Sequence, residues 1–141
     1  MGYYTSHSLE VLDRELKSVP NLVRDPVIDD LRNTCEGAKY SIDGAGDPND
    51  STKWYEHAWD MCQFSKRHPD LIFMLWGNGE ESGDTWRAYY SNGREHHCQG
   101  EIVYPVFDWS KLEEVEDPEV KYARMRASFE AIEKQIGGQT P

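Results

Sequence analysis

The sequence predicts an α+β fold in two layers, an antiparallel sheet with helices over one face. Three observations lead there. The run LIFMLW, Leu71–Trp76, is apolar on both faces, as in a central strand covered on one side by helices. Asn92-Gly93 separates two strand-like runs and is the strongest hairpin signal in the chain, because a type I′ turn needs positive φ at both central residues. Asp25-Pro26 and Asp117-Pro118 each supply a helix N-cap followed by proline at the first helical position, so helical segments bracket the strands.

In chain order, Tyr3–Asp13 holds HSLEVLD, where Leu9 and Val11 alternate with polar residues, and reads as the first strand. Arg14–Arg24 contains Pro20 and shows no clear period. A helix is expected from Asp25, with Ile28, Leu31, Cys35 and Ala38 at helical spacing and Gly37 weakening its end. Tyr40 and Ile42 suit a short extended piece, and DGAGDPNDST, Asp43–Thr52, is a loop by composition. A second helix is expected over Ser51–Lys66, with Trp54, Ala58, Met61 and Phe64 or Cys62 on its apolar face, ended by His68-Pro69. After the central strand, GNGEESG, Gly77–Gly83, reads as a loop. DTWRAYYSN then puts Trp86, Ala88 and Tyr90 on one face and Thr85, Arg87 and Tyr89 on the other. The next strand runs over Arg94–Tyr104, with a bulge at Gly100 and a stop at Pro105. These three strands make an antiparallel meander. A last helix is expected over Pro118–Ile136, closed by Gly137-Gly138. The nearest common topology is the ferredoxin-like two-layer sandwich, with an extra C-terminal helix. Residues 1–107 form the α+β domain. Residues 108–141 form an acidic linker and the C-terminal helix, packing on the domain or on another protomer.

A chain of 141 residues supports one core. Hydrophobic residues make up only 38% but aromatics reach 12%, which implies a small, ring-rich core under a polar surface. The 26 acids exceed the 15 Lys and Arg by enough to give a formal charge of −11. Such a chain is repelled by nucleic acid and by anionic membrane, so neither is expected as a direct partner. Cys35, Cys62 and Cys98 form no disulfide framework and no C-x-x-C pair. MGYYTSHSLE lacks the apolar core of a signal peptide, and no apolar run reaches membrane-spanning length. The expected location is a reducing cytoplasm. MGYYTS fits the N-myristoylation pattern formally, with nothing polybasic after it to supply a second anchor.

Lys53–Arg94, KWYEHAWDMCQFSKRHPDLIFMLWGNGEESGDTWRAYYSNGR, carries a recurring set of elements: KWYEH, FSK-x-HPDL-x-F, G-x-GEE-x-GD-x-W, an aromatic pair and NG. In these it resembles a group of small proteins of bacteriophages, prophages and gut bacteria. It is also similar to the ferredoxin-like accessory proteins of plasmids and phages. The resemblance implies a fold, a mobile-element setting and a bacterial host cytoplasm. It implies no mechanism.

Glu80, Glu81 and Asp84 are a carboxylate group of the kind used for acid–base work or metal binding. No basic or nucleophilic partner is fixed nearby in sequence, and a solvated loop with Asp84 capping a turn accounts for them. Glu56, His57 and Asp60 lie one turn apart without a HEXXH pattern, which describes a polar helix face. On a strand His96 and Cys98 point one way and His97 the other, giving half a tetrahedral zinc site with no matching second half. Asp47-x-Asn49-x-Ser51 starts like a calcium loop but has Thr52 in place of the glycine and Ala58 in place of the glutamate. No catalytic residue, metal or cofactor is assigned. Most of Trp54, Trp59, Trp76, Trp86 and Trp109 are expected in the core. Trp54 and Trp59, about 140° apart on one helix, cannot share a buried stripe, which leaves one for a surface contact. Binding is therefore expected at Trp54, Trp59, Trp76, Glu80, Glu81, Asp84 and Arg87.

Tyr122, Met125, Phe129, Ile132 and Ile136 form an a/d stripe over two heptads. The stripe packs on its own sheet or makes a homo-oligomer with the same helix of another chain. Asp108–Glu119 holds six acids and one lysine, as in a solvated linker or in a surface that imitates nucleic acid. The expected function is that of a non-enzymatic phage or prophage accessory protein. It would bind a host or phage protein, as in inhibition of a bacterial defence system. The alternatives are a small-molecule or nucleotide binder, or small enzyme, built on residues 77–87, and an acidic nucleic-acid mimic.

Overall fold

A computed structural model describes residues 2–137, and the chain divides into two compact units, Met1–Val103 and Tyr104–Pro141. In the first unit the strands β1 (Thr5–Leu12), β2 (Ile72–Gly79), β3 (Thr85–Ser91) and β4 (Arg94–Gln99) form one antiparallel sheet in the order β1-β2-β3-β4. The register sorts side chains into two faces. His7, Gly77 and Trp86 form one cross-strand row, Leu9, Leu75 and Ala88 the next, and Val11, Phe73 and Tyr90 a third, all on one face. The alternate residues give Ser8–Trp76–Arg87–Cys98 and Glu10–Met74–Tyr89–His96 on the other.

The first face is the core. The helices α1 (Asn21–Thr34), α2 (Glu36–Ser41) and α3 (His57–Ser65) lay Ile28, Leu31, Ala38, Met61 and Phe64 against it. Each large side chain buried there stabilises the fold by about 1.5–3 kcal/mol relative to exposure. Gly77 admits the Trp86 ring, since a Cβ at that position would lie 2.0 Å from it. The α+β class, the meander and the central place of Phe73–Trp76 thus hold. The element order is βαααβββ and every sheet neighbour is consecutive, whereas a ferredoxin-like chain runs βαββαβ.

Several local expectations change. α1 starts at Asn21, not Asp25: the Pro20 carbonyl accepts from the amides of Val23 and Arg24, both at 2.9 Å. Asp25 pairs with Arg24 instead, and Pro26 lies inside the helix, where its missing amide is offset by burial of Val27, Ile28 and Leu31. Cys35 is extended (φ −132°, ψ 110°), which breaks the expected single helix and moves Ala38 to α2. Tyr40 is helical, and only Ile42 is extended, bridging Pro48. The second expected helix begins at His57 because Thr52 pairs instead with Thr5 through two backbone bonds of 2.8 and 2.9 Å. Trp54 therefore precedes the helix. Gly77–Gly79 belong to β2, so the loop shrinks to Glu80–Asp84. Asn92 (φ 45°) and Gly93 (φ 84°) make the expected turn. β4 stops at Gln99, and the Gly100 amide makes one last bond to the Thr85 carbonyl at 2.8 Å.

The second unit holds a short 3-10 turn, Trp109–Lys111, and α4 (Pro118–Gly137). Asp117 caps α4 as expected, its carboxylate accepting from the Glu119 amide at 2.9 Å. Gly138 lies outside the described residues. Among the described residues no helix is long and apolar enough to cross a membrane.

Candidate functional site on the open face of the sheet

β2 and β3 set Trp76 and Arg87 directly opposite one another on the face that the three helices leave uncovered. The guanidinium lies 4.9 Å from the Trp76 ring centroid. Its Nη1 donates to the Tyr89 hydroxyl at 3.4 Å. Among the described residues no carboxylate pairs with Arg87. Trp76 remains 43% exposed, while Met74 on the same face is buried, so the accessible end of this face is the Trp76–Arg87 end. Cys98, opposite Arg87 on β4, extends the patch, its Sγ 3.6 Å from His96 Nε2. Ser6, Ser8, Asn78 and Thr85 help to line a concavity of about 740 Å³ around these groups. A guanidinium resting on an indole offers fixed donors to an anion and a flat apolar surface to a planar group.

The acidic loop is a separate structure with a different task. The Tyr4 amide donates to Glu80 Oε1 at 2.8 Å, and the Tyr3 hydroxyl donates to Asp84 Oδ2 at 2.5 Å while accepting from the Glu81 amide at 3.0 Å. The bond to Asp84 holds the Tyr3 phenol above its ordinary pKa. Glu80, Glu81 and Asp84 thus fasten the N-terminal segment, and none of them lines the Trp76–Arg87 concavity.

Trp54 is a core residue, set apart from the Trp76–Arg87 concavity. Its ring fills the space above Gly37, and its indole N–H donates to Asp60 Oδ2 at 2.8 Å. The Cys35 thiol donates to the same oxygen at 3.4 Å, and burial pushes that thiol up to about 11. Trp59, on α3, is the exposed member of the pair, at 65%. Of the seven expected binding residues, Trp76 and Arg87 meet in this concavity, and Glu80, Glu81 and Asp84 meet around Tyr3 and Tyr4.

A second cluster lies on the covered face and was not expected as a group. His7 is 1% exposed, and its ring meets Trp54 at 5.4 Å, Trp86 at 6.0 Å and His57 at 6.0 Å. Trp86 is stacked between His57 at 4.6 Å and His97 at 5.5 Å. His7 Nδ1 is buried without a hydrogen-bond partner. Burial, then the charge of His57, pushes His7 down to about 4, and burial also lowers His57. Both imidazoles are neutral near pH 7. The polar face expected at Glu56, His57 and Asp60 fails at the last two, because the buried rings recruit their polar atoms. The sequence signal for His7 is its alternation with Leu9 and Val11. His96 and Cys98 do share a face while His97 takes the other. Among the described residues, no three His, Cys, Asp or Glu side chains gather as a metal-binding group.

No family model, curated protein or solved structure matches the chain.

Proposed function

We propose that the chain is a non-enzymatic accessory protein of a phage or prophage that binds a host or phage protein through the Trp76–Arg87 face, with inhibition of a bacterial defence system as the outcome. One observation carries the binding part: a half-exposed indole lies under a guanidinium that no carboxylate neutralises, in a concavity on an uncovered sheet face. Tryptophan and arginine are the residue types that most often dominate the energy of protein interfaces. The mobile-element setting rests on the resemblance of Lys53–Arg94. Two of the loop carboxylates, Asp84 and Glu80, are engaged in holding Tyr3 and Tyr4. In the test, the tagged full chain captures its partner from host lysate and the affinity is then measured with purified components. Trp76→Ala and Arg87→Ala each weaken binding by about tenfold or more, with an unchanged thermal midpoint. Unchanged affinity in both variants refutes this face as the site.

The same concavity favours a second reading, a small anionic planar ligand such as a nucleotide, because Arg87 presents donors beside a ring. Such a ligand at 100-fold its dissociation constant raises stability by ~2.7 kcal/mol, visible as a thermal shift that Arg87→Ala abolishes. A flat screen removes this reading and leaves the first.

A further inference from the structure

An exposed apolar stripe runs along α4. Tyr122, Met125, Phe129, Ile132 and Ile136 recur at steps of three and four, and all are exposed. Among the described residues the only other regular element of the second unit is the turn Trp109–Lys111, so within them this unit has no second helix to cover the stripe. A continuous apolar stripe on a helix of this length marks an interface.

The charges beside the stripe select the occupant. With Tyr122, Phe129 and Ile136 at heptad position a and Met125 and Ile132 at d, Lys121 falls at g, and Arg126 and Glu133 fall at e. In a parallel pair each g faces the next e of the other helix, which sets Lys121 against Arg126, like against like. In an antiparallel pair e faces e and g faces g. Arg126 then meets Glu133 of the second copy, twice by symmetry, and Lys121 meets the neutral Gln135. The stripe stays in register, centred beside Phe129. Arg124 is already engaged by Glu116 of its own chain, at 3.0 Å, and does not compete.

We propose that α4 pairs antiparallel with α4 of a second copy of this chain. A seam of two heptads is short, so the dimer is weak and depends on concentration. The proposal is independent of the open sheet face, and Trp76→Ala leaves the dimer unchanged.

Sedimentation equilibrium of the full chain over a range of concentrations tests it. The expected result is a monomer–dimer equilibrium that Phe129→Asp abolishes without lowering the thermal midpoint of the β1–β4 unit. Arg126→Glu and Glu133→Arg each weaken the dimer by about tenfold, and the double variant recovers wild-type affinity. Rescue by the double variant is specific to the antiparallel arrangement. In a parallel pair, Arg126→Glu strengthens the dimer by facing Lys121, which overturns the proposal. A chain that stays monomeric at every concentration also overturns it. A monomer whose thermal midpoint falls on Phe129→Asp shows that the first unit of the same chain covers the stripe.

Discussion

On the face of the sheet that α1, α2 and α3 cover, Val11, Phe73 and Tyr90 form a row with almost nothing left accessible, and even a histidine, His7, is enclosed. One residue along each strand the chain points the other way, and there the row Ser8–Trp76–Arg87–Cys98 keeps an indole half exposed beneath a guanidinium. The backbone and its hydrogen bonds serve both faces equally. What differs is the medium that each set of side chains meets. On the packed face every volume is fixed by neighbours, to the point that Gly77 is needed beneath Trp86. At the Trp76–Arg87 end of the open face the two residues are large and amphipathic and stay accessible, which suits contact with another molecule.

The largest expected effect measures that contrast directly. Phe73→Ala removes a fully buried ring and costs about 3–5 kcal/mol, whereas Trp76→Ala costs less than about 1 kcal/mol. Urea unfolding curves of the two variants give both numbers, and similar losses would erase the distinction between the faces. The next effect concerns the enclosed histidine. His7 has a folded pKa of about 4 against an ordinary 6.5. Between these values the unfolded chain binds a proton that the folded chain does not, so stability falls as pH falls through that window. The loss is about 3 kcal/mol by pH 4 and absent above the ordinary value, and His57, also lowered, adds in the same direction. His7→Phe keeps a ring against Trp54 and Trp86 and flattens the profile. A wild-type stability that does not change between pH 7 and pH 5 would show that His7 gains a partner on protonation.

Much of the contrast is legible in the sequence, for a physical reason. Strand side chains alternate strictly, so Trp86, Ala88 and Tyr90 separate from Thr85, Arg87 and Tyr89 before any fold is known. The Asn92-Gly93 turn and the apolar Phe73–Leu75 segment fix two of the three sheet pairings. The pairing of β1 with β2 joins residues 60 to 74 positions apart, from Leu12–Ile72 to Thr5–Gly79, and nothing local encodes it. One helix start is displaced because a local signal loses to tertiary pairing. Thr52 is held by β1 and so delays α3, and Trp54 goes into the core beside His7 instead of onto a helix. Of the site, the sequence marks Trp76 and Arg87 one by one, but their stacking depends on register, which composition does not carry. In the acidic loop the sequence shows crowded carboxylates, and only the fold reveals Tyr3 and Tyr4 as the partners of Asp84 and Glu80.

That loop supplies the smallest expected effect and the finest division of the sheet, since Glu80–Asp84 lies at the end of β2, outside both faces. If its acids only fasten the N-terminal segment, Tyr3→Phe frees Asp84 and the Glu81 amide without touching either the core or the Trp76–Arg87 concavity. The unfolding transition should then stay where it is. Hydrogen exchange at the Glu81 and Tyr4 amides should quicken by about tenfold, as expected for a local opening that leaves the global structure closed. In the wild type the Tyr3 phenol titrates above its ordinary value because it donates to Asp84, and Asp84→Asn should bring that titration back down. Binding at the open face should be indifferent to both changes. A loss of partner affinity in Tyr3→Phe equal to that in Arg87→Ala would join the loop to the site and end the separation argued from these distances.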